Sequence, residues 1–367
     1  MKAEFTGPSF TLGIEEELMI LDGETFALAN EIEAVIDAYE GEGEVKPELL
    51  QSVLEIATPA CADIGEAAAH VRRLRREVSE AAGRRGLCIG SAGTHPCALW
   101  EDQRVSADPR YRDLIAALRF IARQEIIFGL HVHVAIDDPE KAIHVANGMR
   151  VHVPILLALS ANSPYWRSDA TGLASTRMPI FRAFPRVGIP PHYDSWDDYE
   201  ERITFMVEAG VMADHTFLWY DVRPHPRFGT VEVRAMDAQT KVEHTIALAA
   251  LIQAMAKELS EHFEAGRSLG SYPYEMLDEN KWLAARHGLD GDLVDLPERH
   301  MVPSKELARR LYDRLREHAT DLNAAGELEG ILDLLEHGNG AQRQRVVYEA
   351  NHDWTELLRE IVSTTRA

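Results

Sequence analysis

The residues of this 367-residue chain best equipped for chemistry come in pairs spaced by two. His131 and His133 flank Val132, Glu15 and Glu17 flank Glu16, Glu232 and Arg234 flank Val233, and Glu55 stands between Leu54 and Ile56. A spacing of two is the period of a β-strand, which sends alternate side chains to opposite faces. On that reading the histidines lie opposite Leu130, Val132, Val134 and Ile136, and Glu15 and Glu17 lie opposite Leu12, Ile14 and Leu18. Glu232 and Arg234 likewise lie opposite Val231, Val233 and Ala235. Glu16 falls on the apolar side and is expected to meet an arginine or the sheet edge. Strands paired in one sheet would gather the polar groups on one surface, where neighbouring carboxylates need cations between them.

Singly, each pattern also fits a solvated strand or a weak surface ion pair. Their combination carries more. Carboxylates and imidazoles without thiolates suit Mg2+ or Mn2+, and the arginine fork suits phosphate oxygens. Together they describe a phosphoryl-transfer site, in which metals bridge phosphate oxygens and the protein positions groups and neutralises charge. No Gly-x-x-x-x-Gly-Lys-Ser/Thr or Gly-x-Gly-x-x-Gly string occurs, so neither common phosphate-binding loop is available.

The elements that must position these residues follow from periodicity and punctuation. A strand over 9–21 leads through a helical stretch near 30–39 to Glu48 and a strand over 51–58. Asp63–Arg85 reads as an amphipathic helix capped by Asp63 and ended by Gly86. A short strand over 87–92 and a helix over 110–124 precede the His131/His133 strand. Asp138-Pro139 then opens a helix to about Ala161, with Pro139 at its first position and Pro154 expected to kink it. The stretch 162–193 reads as a long irregular loop rich in proline and arginine, and loops of that length are commonly functional. A helix over 196–210 and strands over 216–223 and 230–236 follow. The rest, 241–264, 275–287, 303–321, 327–337 and 351–363, reads as helical. Strands before 240 and helices after it imply an α+β fold. The polar-faced strands favour an antiparallel sheet with one covered face.

Bulk properties narrow the classes. A net charge of −22 argues against binding nucleic acid through its phosphates. No apolar run approaches the roughly 20 residues of a membrane span, and Met1–Phe5 lacks the features of a signal peptide. Three cysteines without metal-ligand spacing fit reduced thiols and a cytoplasmic setting.

Seven ordered strings carry a family resemblance. They are Gly13-Ile14-Glu15-Glu16-Glu17, Leu54-Glu55-Ile56-Ala57-Thr58-Pro59, Gly93-Thr94-His95-Pro96, Gly129-Leu130-His131-Val132-His133-Val134, Ser160-Ala161-Asn162-Ser163-Pro164, Asp221-Val222-Arg223-Pro224-His225 and Gly229–Asp237. They resemble the type 2 glutamate–cysteine ligase family, carboxylate–amine ligases of the glutamine synthetase superfamily. The likeness runs from about residue 8 to 350 and includes Asn280-Lys281-Trp282 and Gly340-Ala341-x-Arg343-Gln344. It implies a single catalytic domain over 1–367 with a mainly helical part over 241–367. The implied fold is glutamine synthetase-like: a curved antiparallel sheet with a polar concave face and helices on the other.

The same resemblance implies the chemistry. ATP phosphorylates a carboxylate, commonly the γ-carboxylate of glutamate, and an amine such as cysteine attacks the acyl phosphate. Glu15, Glu17, Glu48, Glu55, His131 and Glu232 would hold two or three Mg2+ or Mn2+ ions, and His133 would contact the nucleotide phosphates. Arg234 would neutralise the transferring phosphate, with Glu232 beside it in the catalytic pair. Arg177 and Arg223 are the candidates for the substrate carboxylate. Small-molecule substrates and a homodimer or larger oligomer are expected. Two other readings use the same residues: a metal-dependent amide hydrolase without ATP, and a non-catalytic binding protein. Glu232→Ala is expected to abolish turnover with the fold intact, by relieving repulsion among acids, and Arg234→Lys to cost rate by losing the fork.

Overall fold

The computed structural model of the chain describes residues 3–366. Strand β1 spans Leu12–Asp22, and helix α1, Ile32–Ala38, precedes β2 (Glu44–Pro47) and β3 (Val53–Ala57). Helix α2, Ile64–Gly83, starts as its sequence predicts: the Asp63 carboxylate accepts the Glu66 N–H at 2.9 Å. The chain then turns at Gly86, whose φ of 71° suits glycine, into β4, Leu87–Gly90. The expected helix over 110–124 divides into α3 (Pro109–Leu118) and α4 (Phe120–Arg123), because Arg119 between them adopts φ 53°. Strand β5 spans Gly129–Ala135.

Helix α5, Pro139–Ser160, carries Pro139 in its first turn and contains Pro154 without ending there. This helix corrects one expectation. By length and composition it could cross a membrane, yet 83% of its apolar window is buried inside the protein. It is a core helix.

The stretch 162–193 has more order than its composition suggests. It holds the two-residue pair β6 (Tyr165–Trp166) and β7 (Asp169–Ala170), helix α6 (Arg177–Phe181), and β8 (Val187–Gly188), which pairs with β9 (Trp219–Tyr220). Helix α7, Trp196–Glu208, leads toward β10 (Val222–His225) and β11 (Thr230–Asp237). Beyond these lie α8 (Val242–Glu264), α9 (Tyr274–His287), the hairpin β12/β13 (Asp292–Asp295, His300–Pro303) and α10 (Ser304–Asp321). Helices α11 (Ala325–Leu328), α12 (Gly330–His337), α13 (Gly340–Asn351) and α14 (Trp354–Arg366) complete the chain. The hairpin and α13 were not legible in the sequence, since four-residue strands offer too short a period to read.

Seven strands form one antiparallel sheet in the order β10-β11-β5-β1-β3-β2, with β4 pairing the second half of β1. The first half of β1 alternates as expected, with Leu12, Ile14 and Leu18 buried against the helices. Its second half, Met19–Leu21, is buried on both faces, because Met19 and Leu21 pack in one apolar cluster with Leu357 and Ile361 of α14 while Ile20 packs in another with Leu74 of α2. On the covered face, Leu130, Val132, Val134, Val231 and Val233 share a core with α5 and α8.

Glu16 meets its arginine there. Arg75 of α2 donates to both oxygens of Glu16, at 2.8 and 2.7 Å, and to the carbonyls of Gln239 and Thr240. Thr245 donates to the same carboxylate. This buried, fully satisfied pair ties β1 to the segment after β11, so the two strands bearing the acids are fixed from behind.

Candidate active site

The register places the ionisable groups in one band across the face opposite the α5/α8 core. Arg223 of β10 pairs with Glu232 of β11, and Glu232 pairs with His133 of β5. His131 lies opposite Glu15 of β1, and Glu17 lies opposite Glu55 of β3, which lies opposite Lys46 of β2. Because every strand has a period of two, a single correct register brings all of these side chains to the same side. A β-bulge between Val233 and Met236 interrupts the β11–β5 ladder at Arg234.

At the β10–β11 end the charges are matched. Arg223 Nε donates to Glu232 Oε2 at 2.5 Å, and Arg234 donates to Oε1 of the same carboxylate. Burial opposes ionisation of Glu232, but Arg223, Arg234 and His133 outweigh it and hold the carboxyl well below its usual range. His133 Nδ1 meets the Thr230 hydroxyl at 3.0 Å, which leaves Nε2 3.6 Å from Glu15 and 3.7 Å from Glu232. Burial works against the His133 imidazolium, yet Glu232 and Glu15 raise its pKa above the ordinary value. Glu15 also lies 3.3 Å from His131 Nδ1. Despite burial, His133 and His131 hold Glu15 well below the usual carboxylate range. For His131, burial and then Arg234 depress the pKa.

At the β3 end the acids crowd one another. Glu17 accepts the Gly129 N–H. Burial, followed by the field of Glu17, pushes Glu48 up to about 7. Burial and then Glu48, Glu15 and Glu17 drive Glu55 well above the carboxylate range, with Lys46 at 3.6 Å as its partial counter-charge. The face opens into a cavity of about 400 Å³ lined by Glu17, Glu48, Glu55, His131, Arg177, Arg223 and Arg234, and also by Phe181, Phe184 and Trp219.

All ten residues singled out from the sequence lie in this band or line this cavity. Three details differ from the expectation. A cluster that could hold a metal joins Glu15, His133 and Glu232, whose ligand atoms lie within 4.8 Å of one another, so His133, expected at the nucleotide phosphates, stands among candidate metal ligands. Arg223 is largely committed, donating to Glu232 and to the carbonyls of Thr216 and Leu218. Arg177 is freer: its contacts with the Arg234 carbonyl are long, at 3.4 Å, and its Nε has no partner. Glu232 has Glu15 nearby but is gripped by two arginines, so removing it leaves two buried cations unpaired, which outweighs any relief of repulsion.

One cavity residue escaped the sequence reading. Glu125, in the link between α4 and β5, faces the cavity. Its neighbours Gln124 and Ile126 give no strand period, so only the fold reveals it. The glycine of the His131/His133 string also has a spatial reason. A Cβ on Gly129 would lie 2.4 Å from an Arg177 nitrogen and 2.9 Å from His131 Nε2.

The architecture is one that solved ligases share. Glutamate–cysteine ligase from Francisella tularensis, solved in complex with AMP, matches with a TM-score of 0.70 at 15% identity, covering 99% of this chain and 90% of that one. A bifunctional glutathione synthetase from Pasteurella multocida matches with a TM-score of 0.70 at 14% identity, covering 97% of this chain and 53% of that one. The fold is therefore the α+β fold of these ligases. At the level of sequence, the chain belongs to glutamate-cysteine ligase family 2, whose family model matches residues 11–364. A protein of Rubrobacter xylanophilus named "Putative glutamate--cysteine ligase 2-1" is 44% identical over 359 residues, 97% of this chain and 95% of that protein. A Solibacter usitatus protein with the corresponding name is 38% identical over 362 residues, 98% and 94% of the two chains.

Proposed function

We propose that the protein is an ATP-dependent carboxylate–amine ligase that activates a carboxylate as its acyl phosphate and joins it to an amine. The observation that carries this reading is the unbroken band from Arg223 to Glu55, acids and imidazoles flanked by arginine at the floor of one cavity. AMP in the Francisella tularensis enzyme and the names of the curated relatives support a nucleotide and, as substrates, glutamate and cysteine.

The donor set fits hard divalent cations. It consists of carboxylate oxygens and imidazoles, and the Nε2 atoms of His131 and His133 are buried without a hydrogen-bond partner. Glu15, His133 and Glu232 would hold one ion, and Glu17, Glu48 and Glu55 another, with His131 between the two sets. Such ions supply charge neutralisation at phosphate oxygens. Arg234 adds a fixed cation: its Nε is buried without a partner while its NH1 is held by Glu232. Arg177, pinned near Gly129, suits the carboxylate of the acid substrate. The aromatic wall of Phe181, Phe184 and Trp219 limits water at the site, which protects an acyl phosphate from hydrolysis.

Incubation with Mg2+, ATP, glutamate and a panel of amines tests the reading. Phosphate release that requires both ATP and an acceptor is the expected outcome. Amide cleavage that needs metal but no nucleotide would replace the ligase by the hydrolase reading. Folded protein that binds neither divalent ions nor nucleotide would leave a non-catalytic binding role.

A further inference from the structure

Three of the ordered sequence strings meet at Asp237, a residue the proposed chemistry does not use. Asp237 ends β11, is fully buried, and does not line the cavity. Its Oδ2 accepts the Asn162 N–H at 2.8 Å and the Ser163 hydroxyl at 2.6 Å, and its Oδ1 accepts the Ser175 hydroxyl at 2.8 Å. One carboxylate thus grips both ends of the loop over 162–175, where Ser163 and Ser175 also bridge. Gly93 leaves room for it: a Cβ there would lie 2.5 Å from Asp237 Cγ, and the Gly93 N–H donates to the Asn162 carbonyl. Burying a carboxylate is costly unless it is well hydrogen-bonded, and three donors offset that cost here.

The grip reaches Arg177. The Ser163 hydroxyl accepts the Arg177 N–H at 3.2 Å and donates its own hydrogen to Asp237, a directed chain from the start of α6 to the carboxylate. The Thr176 N–H reaches the Ser163 carbonyl at 2.9 Å, and α6 has no side-chain cap of its own. Asp237 is also the cross-strand partner of Gly129, whose missing side chain leaves room for the Arg177 guanidinium. One rung of the β11–β5 ladder therefore sets both ends of Arg177, its backbone through the aspartate and its guanidinium through the glycine. Beyond contacts with Met178 and Phe181, that guanidinium has only the 3.4 Å approaches to the Arg234 carbonyl, and its Nε has no hydrogen-bond partner. Its direction depends on where the backbone is held.

We propose that Asp237 is a positioning residue for Arg177, setting the affinity for the carboxylate of the acid substrate through Ser163 and Ser175 without touching that substrate. The proposal rests on the ligase reading, in which Arg177 receives the acid, and adds what aims it. A misdirected guanidinium loses the two-pronged contact with a carboxylate while the rest of the site stays as it was.

The test uses the full-length protein with Mg2+, ATP, glutamate and an acceptor amine. Ser163→Ala cuts the chain between Arg177 and Asp237 and is expected to raise the KM for glutamate about tenfold. The KM for ATP should stay close to wild type, and Ser163→Thr, which keeps the hydroxyl, should recover part of the loss. Asp237→Ala should raise the KM for glutamate at least as much; if it does not fold, Ser175→Ala, which frees the other end of the loop, takes its place with a smaller rise. A variant that lowers kcat with both KM values unchanged, or raises both KM values alike, would show Asp237 to be a merely structural tie and overturn the proposal. Hydrogen–deuterium exchange gives a readout that needs no turnover: Ser163→Ala should speed exchange over 162–181 and leave β1 and β3 protected. Unchanged exchange in that segment would also overturn the proposal. If the wild-type protein releases no phosphate with any acceptor, the ligase reading fails by itself, and exchange alone then decides whether Asp237 holds Arg177.

Discussion

The two ends of the polar band solve the same electrostatic problem in opposite ways. At the β10–β11 end the chain supplies its own cations, so that Glu232 is gripped by Arg223 and Arg234 and its carboxyl is depressed despite burial. At the β3 end Glu17, Glu48, Glu55 and Glu125 line one cavity, with Lys46 beside Glu55 and the fields of Arg234 and Arg177 reaching Glu48 and Glu125, and three of these carboxyls are still pushed up. The first end answers its carboxylate with arginines of the chain itself. The second is left with carboxyls that protonation or an arriving cation would neutralise, and under the proposed ligase function it is a place where a cation would be received.

The comparison breaks first at Glu232. Glu232→Ala should lower folding stability by about 3–5 kcal/mol, because two buried arginines lose their counter-charge. Urea unfolding measures this, and a variant as stable as wild type would mean that the arginines are not held as described. At the other end the sign reverses. The folded-state pKa of Glu48, about 7, lies above its ordinary value of 4.5, so the folded protein holds a proton that the unfolded chain has released. This contribution is fully present below pH 4.5 and is lost as pH rises through 7.

Metal-free wild type should therefore lose about 1–2 kcal/mol relative to Glu48→Gln between pH 5 and 8, with solvent in the cavity discounting the full shift. Mn2+ should stabilise wild type more than the variant. Parallel pH curves for the two proteins would remove the asymmetry between the ends.

Gly129→Ala tests the seam between them. Its methyl group meets the Arg177 guanidinium and His131, so a loss of about 1–3 kcal/mol and weaker binding of the acid substrate are expected. Calorimetry and the KM for the acid read the two effects separately. Asp63→Ala, which removes the cap of α2 far from either end, should cost only about 1 kcal/mol and leave the Mn2+ response unchanged.

Much of the band was legible beforehand because strand alternation is local. Glu15, Glu17, Glu55, His131, His133, Glu232 and Arg234 all carry the period of two, and all reach the same face. Glu48, Arg177 and Arg223 came from the family resemblance, and they too line the cavity. The sequence hid three things. The bulge at Arg234 depends on how β5 pairs, not on β11 alone. The commitment of Arg223 depends on carbonyls of Thr216 and Leu218, which only the chain path brings near. Glu125 lies in a link with no period at all.

By itself, then, the sequence determined which strands have a polar side and which ionisable groups that side carries, since both follow from neighbours two residues apart. Only the tertiary structure decided which carboxylates are answered by arginine and which are left to ligands. That choice depends on distances between strands far apart in the chain and on burial, which sets how strongly each charge needs a partner.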